Sequence, residues 1–483
     1  MEPSTIAVKP SSGVHLDGHT LPDEVRILTL NCWGLKYISQ HRHARLVEIG
    51  RQIAAADPPP NIVGLQECWT QEDYTAIRAL TKHILPYGKF YFSGIFGGGL
   101  IILTKWPVEE SSMYRYPLNG RPSAFWRGDW YVGKGVACAS IRIGPGAKHV
   151  VEVFNTHLHA PYASDRGDSY ACHRVAQAWE IAKLMRHAAD RGHLVVGLGD
   201  FNLEPESMGH QIIEACSPVR DAWTETKAYR FSDSARCRRT AASTVEECLV
   251  KHGTTCDSLA NTWRWSKQMR KDLTKGHERA LDSNTMADPN AKRLDYVFTN
   301  AQTQGWQVVQ AEVGMTMRHP TLQCSLSDHF SVEVGLEHPA RLSAPVSSES
   351  STLPTETYDR ILELIASYTA RERSWRRWRL THFVAELAIS IACLVAVWWS
   401  PYSHVAFILM LISTLGLSAG VLDGLMGGLF VSSEIRALKE FEWEIENARK
   451  RAADTVGGEK SAQERRLRVL ETKTLVRSSA LAG

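Results

Sequence analysis

Two long apolar runs near the C-terminus constrain this chain more than any other feature. Leu380–Trp399 is a 20-residue segment whose only charge is Glu386, and Val405–Leu422 is an 18-residue run without charge. Each run is about long enough to cross a hydrocarbon core of ~30 Å as a helix. Because backbone polar groups must be satisfied inside a bilayer, the two runs predict a transmembrane helical hairpin.

Basic residues flank this predicted hairpin on both sides. A basic tail follows Glu434, and an arginine cluster precedes the first run: Arg371, Arg373, Arg376, Arg377 and Arg379. The positive-inside rule places both flanks in the cytosol, on an intracellular membrane such as the endoplasmic reticulum. The cluster also predicts attraction to anionic phospholipids as activators, although a role in topology alone explains it equally well. The competing interpretation of the two runs is a pair of buried helices in a soluble domain.

Composition limits what the rest of the chain can be. Hydrophobic residues make up 44% and charged residues 22% of the 483 residues, which excludes a wholly disordered chain and a many-spanning transporter. The net charge of +3 gives no support for a nucleic-acid partner. Ten cysteines are too sparse for a disulfide scaffold, so we expect mostly reduced thiols.

The chain divides into five predicted regions. They are a flexible N-terminus (1–22), one large α/β domain (23–338), a linker and basic juxtamembrane helix (339–379), the two transmembrane helices (380–431) and a cytosolic helical tail (432–483). The tail is expected to be an ordinary solvated helix or an interaction surface.

Apolar or β-branched runs bounded by turn residues predict the strands of the large domain. They are Val25–Leu30, Asn61–Leu65, Leu100–Thr104, Gly135–Ile143, Val150–Phe154, Leu194–Leu198, Leu294–Phe298 and Ser331–Leu336. Residues 204–292 contain fewer strand-like runs and are predicted to form long loops and short helices. The sequence does not indicate the function of this region. Tyr91–Ile102 is apolar and contains three consecutive glycines. It fits either a lipid-facing loop or a core strand and turn, and the core interpretation is slightly favoured.

Polar residues lie at the ends of several predicted strands. Asn31 ends the first strand, Glu67 follows the second, and Asn155 and His157 follow another. Further along the chain come Asp200, Asn202, Asp295, Asp328 and His329. Strand ends are where α/β folds often bind ligands. Each residue alone is a weak signal, but the ordered set is specific.

At these residues, over about 24–337, the chain resembles the endonuclease/exonuclease/phosphatase superfamily. The resemblance implies a two-sheet β-sandwich flanked by helices and a requirement for Mg²⁺. It implies that Glu67 is the main Mg²⁺ ligand, helped by Asn31 and Asp328. A hard divalent cation prefers such oxygen ligands and keeps several waters.

The same resemblance implies roles for the remaining polar residues. His329 would be the general base for in-line attack of water on phosphorus, and Asp295 would orient its imidazole and raise its pKa. Asp200 and Asn202 would bind the attacking water and the phosphoryl oxygens. His157 would contact the phosphate or assist the leaving group, with His159 in a supporting position.

The segment Gly120–Gly135 indicates which family within the superfamily the chain resembles. Gly128-x4-Gly133-Lys134 begins like a nucleotide-binding loop, but Gly135 stands where a Ser or Thr would hold Mg²⁺, so ATP binding is not expected. The segment instead resembles the corresponding region of neutral sphingomyelinases and inositol phosphosphingolipid phospholipases C. In that family Asp129 and Lys134 would form a switch pair that couples lipid engagement to activity. From the residues alone, a surface ion pair worth ~0–1 kcal/mol is the simpler interpretation.

The resemblance implies a membrane-anchored, Mg²⁺-dependent phosphoric diester hydrolase. It would act as a phospholipase C on sphingolipids in the bilayer and release ceramide and a phosphorylated head group. Phosphoinositol and phosphocholine are both left open as the head group of the substrate, with a weak preference for phosphoinositol. The sequence does not indicate the oligomeric state. The alternatives are a DNA repair endonuclease, an inositol polyphosphate phosphatase and an inactive membrane adaptor. Leu203 after Asn202 counts against the phosphatase.

Overall fold

The computed structural model describes residues 20–124, 127–162, 168–230, 240, 242–277, 282–339 and 353–480, without side-chain detail at 227–230 and 456–480. Most of the predicted flexible N-terminus (1–22) and most of the linker before residue 355 lie outside the described residues. The described cysteines are free thiols, as expected, and Cys237 lies outside this part of the chain.

The large domain is built on two six-stranded sheets. The first contains β1 (Glu24–Asn31), β2 (Ile62–Gln66), β3 (Tyr87–Tyr91), β4 (Leu100–Thr104), β11 (Gln307–Gly314) and β12 (Ser331–Glu337), in the order β11-β12-β1-β2-β4-β3. The second contains β5 (Val108–Arg115), β6 (Gly135–Arg142), β7 (Val150–His157), β8 (Leu194–Asp200), β9 (Arg220–Asp221) and β10 (Asp295–Thr299), in the order β5-β6-β7-β8-β10-β9. The pairs β1–β2 and β7–β8 are parallel, and the others are antiparallel.

Side chains along each strand point alternately to the two faces of its sheet, and one face of each sheet packs against the other sheet to form a sandwich. In β1, Ile27 faces the apolar layer between the sheets, whereas Leu28 and Leu30 face the opposite side. Successive strand residues point to opposite faces, so each sheet has two apolar faces to cover. The sheets approach closely at Gly64, where an added Cβ would lie 2.0 Å from a methyl carbon of Leu198.

Helices cover the two outer faces. α1 (Arg42–Ala55) and α2 (Gln71–Thr81) bury apolar residues on the first sheet, and α4 (Ala171–Asp190) and α5 (Met208–Cys216) do so on the second. The remaining described helices of the domain are short: α3 (Asp129–Val132), α6 (Ala222–Arg230), α7 (Val245–Val250) and α8 (Lys267–Thr274). The predicted two-sheet sandwich flanked by helices is therefore confirmed, as are short helices within 204–292.

All eight predicted strands are present, and the four strands that the sequence analysis missed share one property. β3, β5, β9 and β11 are the edges of the two sheets. Edge strands are half-exposed and carry polar residues, so β5 (VEESSMYR) and β11 (QVVQAEVG) lack the apolar runs that identified the inner strands.

Three long helices form the C-terminal part: α9 (Thr355–Trp398), α10 (Ser403–Leu425) and α11 (Val431–Ala480), with a π-helical turn, Met426–Phe430, before α11. The predicted juxtamembrane helix and first span are thus one continuous helix. Among the residues that the structure describes, two helices are long and apolar enough to cross a membrane, and only 6% and 11% of the residues in their most apolar stretches are buried in protein. A pair of core helices in a soluble domain would bury these side chains.

The helices α9 and α10 pack closely along the hairpin. The hydroxyls of Ser390 and Ser413 lie 2.6 Å apart. An added Cβ at Gly420 would lie 2.7 Å from the Cβ of Glu386, so only a residue without a side chain fits there. Small residues and interhelical hydroxyl contacts are typical of helix pairs in membranes. Arg379 forms an ion pair with Asp423 at the base of the hairpin.

The tail helix α11 packs against the large domain. Leu438, Phe441 and Ile445 are buried in one cluster with residues of α4. The indole of Trp179 donates to Glu444 at 2.6 Å. Of the two expectations for the tail, the solvated helix is wrong for this stretch and the interaction surface fits, because α9 and α4 of the same chain cover the apolar stripe.

A buried polar cluster, the stem junction, joins the C-terminal helices to the large domain. Arg121 Nε donates to the Tyr368 hydroxyl at 2.7 Å and lies 3.4 Å from Glu372. Tyr368 donates to Glu434 at 2.7 Å, and His173 Nε2 lies 3.0 Å from the same carboxylate. Burial and the nearby Glu434 raise the pKa of Glu372 to about 7, although Arg121 and Arg371 oppose the shift.

The Glu372→Gln substitution is expected to flatten the pH dependence of stability. In the folded protein Glu372 keeps its proton up to about pH 7, whereas its ordinary pKa is 4.5. The unfolded chain therefore releases the proton first, and stability falls as pH rises through this window, by roughly 1–3 kcal/mol after allowing for partial solvation. Thermal unfolding midpoints in detergent, taken between about pH 5 and pH 7.5, measure the effect.

The exposed Glu363→Gln on the same helix is the matched control and should keep the wild-type pH dependence. An unchanged pH dependence in Glu372→Gln would contradict the assignment of the shift to this carboxyl.

Candidate active site

Strand register brings the predicted polar residues together. In the parallel pair of β7 and β8, His157 lies opposite Asp200, and in the antiparallel pair of β8 and β10, Asp200 lies opposite Asp295. Asn31, the last residue of β1 in the other sheet, donates from Nδ2 to Asp200 at 3.0 Å. The site therefore lies where inner strands of both sheets end.

His157 differs in one detail from the sequence prediction. It was expected to follow its strand together with Asn155, but β7 continues through His157. Asn155 instead lies between the sheets, where it donates to the carbonyls of Leu65 and Ile101 and accepts from Gln66. Its polar side chain thus stabilises the packing of the two sheets on which the site is built.

His329 and Asp295 form a hydrogen-bonded pair. Nδ1 of His329 lies 2.8 Å from Asp295, while Nε2 lies 3.9 Å from Asp200. Burial lowers the pKa of His329, but the negative charge of neighbouring groups, the carboxylates of Asp295 and Asp200 among them, outweighs it and raises this pKa well above its ordinary value. The imidazole is thus held by one carboxylate and directed toward a second.

Glu67 occupies a turn directly after β2, with a positive φ of 56°. Its Oε1 accepts from Asn31 at 3.1 Å, whereas its buried Oε2 has no hydrogen-bond partner among the described residues. Burial and the charge of Asp328 raise the pKa of Glu67 to about 7. Burial also raises the pKa of Asp328, and burial with Asp295 raises that of Asp200 to about 6.

These carboxyl groups fit a hard divalent cation. Buried like charges raise each other's pKa, and a cation among them would restore the ionised forms. The unpartnered Glu67 oxygen, the Asn31 amide and Asp328 provide the oxygen donors that such an ion prefers. A second group that could hold a metal consists of Asp200, Asp295 and His329, whose ligand atoms all lie within 4.8 Å of one another.

Asn202 and His157 complete the polar surface around Asp200. Asn202 has a φ of 48°, its N–H donates to Asp200 at 2.9 Å, and its Nδ2 donates to the Leu158 carbonyl at 3.1 Å. His157 Nε2 lies 3.5 Å from Asp200. Burial, and then the charge of Lys134, lower the pKa of His157 well below its ordinary value, so this imidazole is neutral.

Asp129 and Lys134 form a buried ion pair at 3.3 Å, each with about 5% of its side chain exposed. The surface pair that the residues alone suggested is therefore wrong. Lys134 Nζ donates at 2.8 Å to the Leu158 carbonyl, which also accepts from Asn202. Asp129 accepts from the hydroxyl of Tyr162 at 2.7 Å. One carbonyl thus joins this pair to the Asp200–Asn202 turn.

Arg45 is a positioning residue that sequence reasoning missed. Its buried guanidinium donates to the carbonyls of Cys32, Trp33 and Leu326, and so ties the Asn31 loop to the His329 loop. A single arginine within the amphipathic helix α1 gives no signal of this role in the sequence.

One cavity borders the site, and another lies under the apolar loop between β3 and β4. The first, of about 380 Å³, borders Asp328, and its lining includes Trp33 and Trp263. The other, of about 480 Å³, is lined by Trp69 and the apolar loop between β3 and β4. In that loop Phe92 is 66%, Ile95 68% and Phe96 56% exposed, so the favoured core interpretation was wrong for the loop itself.

Comparison with known proteins identifies related sequences. The model of the endonuclease/exonuclease/phosphatase family matches residues 28–329. The inositol phosphosphingolipids phospholipase C of Schizosaccharomyces pombe is 39% identical over 87% of this chain and 93% of its own length. The protein of the same name from Saccharomyces cerevisiae is 33% identical, over 88% and 90%. Sphingomyelin phosphodiesterase 2 of Rattus norvegicus is 32% identical, over 44% and 50%.

Proposed function

The chain belongs to the endonuclease/exonuclease/phosphatase family, and from that premise we propose that it is a membrane-anchored, Mg²⁺-dependent phospholipase C. It hydrolyses the head-group phosphodiester of sphingolipids to ceramide and a phosphorylated head group. One observation carries the proposal: the His329–Asp295 pair, at 2.8 Å, is linked through Asp200 and Asn31 to Glu67, which has a buried oxygen without a hydrogen-bond partner among the described residues. Together they supply a base and a cation site for attack of water on phosphorus.

His329 is the general base of the proposed reaction. Asp295 accepts from Nδ1 and thereby leaves Nε2 free to take a proton from the attacking water. When bound, Mg²⁺ neutralises charge on the phosphoryl oxygens and, by repulsion, lowers the raised pKa of His329. Asp200 and Asn202 hold the water and the phosphoryl oxygens. The neutral His157 donates a hydrogen bond to the phosphate or to the departing ceramide oxygen.

We assign the cation to Glu67, Asn31 and Asp328 rather than to the Asp200–Asp295–His329 group. His329 already bonds Asp295 through Nδ1, and this bond orients a base. The buried Glu67 Oε2 has no hydrogen-bond partner in the described part of the chain, and neither has Asp295 Oδ1, so the choice between the two groups rests on the role of His329. A free buried carboxylate oxygen is a good ligand for a cation, and at Glu67 it can bind one without taking the histidine away from its role as a base.

Lipid substrates are supported by the apolar loop between β3 and β4. Its exposed Phe96 contacts Tyr131 at 5.9 Å between ring centroids, and Tyr131 contacts Trp130 at 5.0 Å. Trp130 in turn contacts Phe430, at the end of the hairpin, at 5.3 Å. The loop and the hairpin base are thus linked by aromatic contacts, which supports a bilayer surface next to the site. The yeast and rat relatives make inositol phosphoceramide and sphingomyelin the candidate substrates.

The proposed membrane topology follows from the basic residues that flank the two apolar segments and from the length of those segments. The part of α9 from residue 380 onward and α10 span the membrane, and the catalytic domain (23–338) and the tail (432–483) are cytosolic, on an intracellular membrane such as the endoplasmic reticulum. The arginines that precede the hairpin attract anionic phospholipids as activators. The Asp129–Lys134 pair transmits lipid engagement to Asn202 through the shared Leu158 carbonyl.

His329→Ala is expected to lower ceramide release by about 10²–10⁴-fold because the attacking water loses its base. Glu67→Gln is expected to raise the Mg²⁺ concentration needed for half-maximal rate. Head-group release by the detergent-purified protein measures both, with inositol phosphoceramide, sphingomyelin, abasic DNA and a phosphoinositide, each with Mg²⁺ or a chelator.

The exposed His187→Ala is the matched control and should retain full activity. Cleavage of DNA alone, or of the phosphoinositide alone, would replace the proposal with the endonuclease or the phosphatase. Absence of all four activities would favour a membrane adaptor.

Replacing Phe92 and Phe96 by Ser is expected to weaken action on bilayers. Each buried Phe contributes ~1.5–3 kcal/mol, so the apparent affinity of the site for substrate in proteoliposomes should fall at least about 10-fold. Hydrolysis of a short-chain, micellar substrate should change little because the reacting groups are untouched. Met317→Ser, at another exposed apolar residue, is the control. Equal losses on bilayers and micelles would contradict a membrane-contacting loop.

A further inference from the structure

The cavity of about 380 Å³ beside Asp328 has no part in the mechanism described above. Its volume lies in the range of about 300–1,000 Å³ that is typical of small-molecule pockets. Cys256, which lines it, is paired with His329 in an isolated β-bridge, so the cavity adjoins the proposed base. A substituent on a phosphorus atom held in the site can therefore reach it.

Cations already occupy the aromatic faces of this cavity. The Arg45 guanidinium lies 4.8 Å from the ring centroid of Trp33 and 5.6 Å from that of Trp263. Arg270 lies 5.5 Å from the Trp263 ring. A quaternary ammonium group binds to free aromatic faces and is repelled by neighbouring cations. The two tryptophans are therefore poorly suited to holding choline.

The polar groups of the cavity suit a ligand with many hydroxyls. Asp257 lies 3.4 Å from Arg264 and 3.1 Å from Lys292, so its charge is balanced while its oxygens can accept further hydrogen bonds. Arg270 is half-buried, and its Nε lacks a hydrogen-bond partner among the residues that the structure describes. A buried unpaired donor is costly, and a hydroxyl oxygen would satisfy it.

We infer that this cavity holds the head group and that Arg264, Arg270 and Asp257 select a hydroxyl-rich head group, such as a phosphorylated cyclitol, over a quaternary ammonium. Hydroxyl oxygens accept from the two guanidinium groups, and a hydroxyl hydrogen is donated to the Asp257 carboxylate. The inference rests on the proposed function, since it concerns the substrate of the same site. It also gives the 204–292 insertion a role, because Asp257, Arg264 and Arg270 all belong to it.

Arg270→Gln is expected to lower kcat/KM for inositol phosphoceramide about 10–100-fold, the effect of a lost hydrogen bond to a charged group. For sphingomyelin in the same mixed micelles, kcat/KM should stay level or rise, because no hydrogen bond to choline is lost and a cation is removed from the Trp263 face. Arg264→Gln should act in the same direction. Lys271→Gln removes an exposed charge from the same helix, outside the cavity lining, and should change neither substrate.

A binding measurement keeps the test independent of turnover and of variant folding. Calorimetric titration of the full-length wild-type protein with inositol 1-phosphate and with phosphocholine, both in Mg²⁺, should give at least about 10-fold tighter binding of the first. Equal binding of the two, or equal losses on both substrates in a folded Arg270→Gln, would overturn the inference. If the wild type cleaves neither lipid yet binds inositol 1-phosphate selectively, the proposed function fails while the head-group assignment survives.

Discussion

The amide of Asn31 is the contact on which the site depends. From the end of an inner strand of the first sheet it donates to Glu67 in its own sheet and to Asp200 in the other. One side chain thereby sets the spacing between the proposed cation ligand and the proposed water-binding carboxylate. The sandwich makes this contact possible, because strands of both sheets end at the same edge and Gly64 lets the sheets approach. The packing of the two sheets therefore determines the relative positions of the reacting groups.

The C-terminal helices are part of the same structure rather than an appended anchor. α9 and α11 bury their apolar faces on α4, and the stem junction places Arg121, Tyr368, Glu372 and Glu434 in one buried cluster. Arg121 lies in the Gly120–Gly135 segment that also carries the Asp129–Lys134 pair. The helices thus contact, through Arg121, the same segment whose Lys134 shares the Leu158 carbonyl with Asn202.

Much of this could be predicted from the sequence, for physical reasons that differ between elements. The inner strands are buried on both faces and appear as apolar runs, and the polar residue at one end of β1, β7, β8 and β10 lies at the site. The edge strands β3, β5, β9 and β11 could not be found, because half-exposed strands carry mixed residues. Arg45 was missed because its role depends on a contact distant in sequence, to Leu326. Arg270 was missed because it shares a cavity lining with Asp328, which is also distant in sequence. A charged residue in a helix gives no local sign of such contacts.

The central claim is that water attacks phosphorus and that ceramide departs as an alcohol. The most direct measurement is hydrolysis of inositol phosphoceramide by the purified full-length protein in water enriched in the heavy oxygen isotope, with both products analysed by mass spectrometry. The account predicts one heavy oxygen in the phosphate of the released head group and none in ceramide. Label in ceramide, or release of an unphosphorylated head group with the label left on a ceramide phosphate, would contradict it.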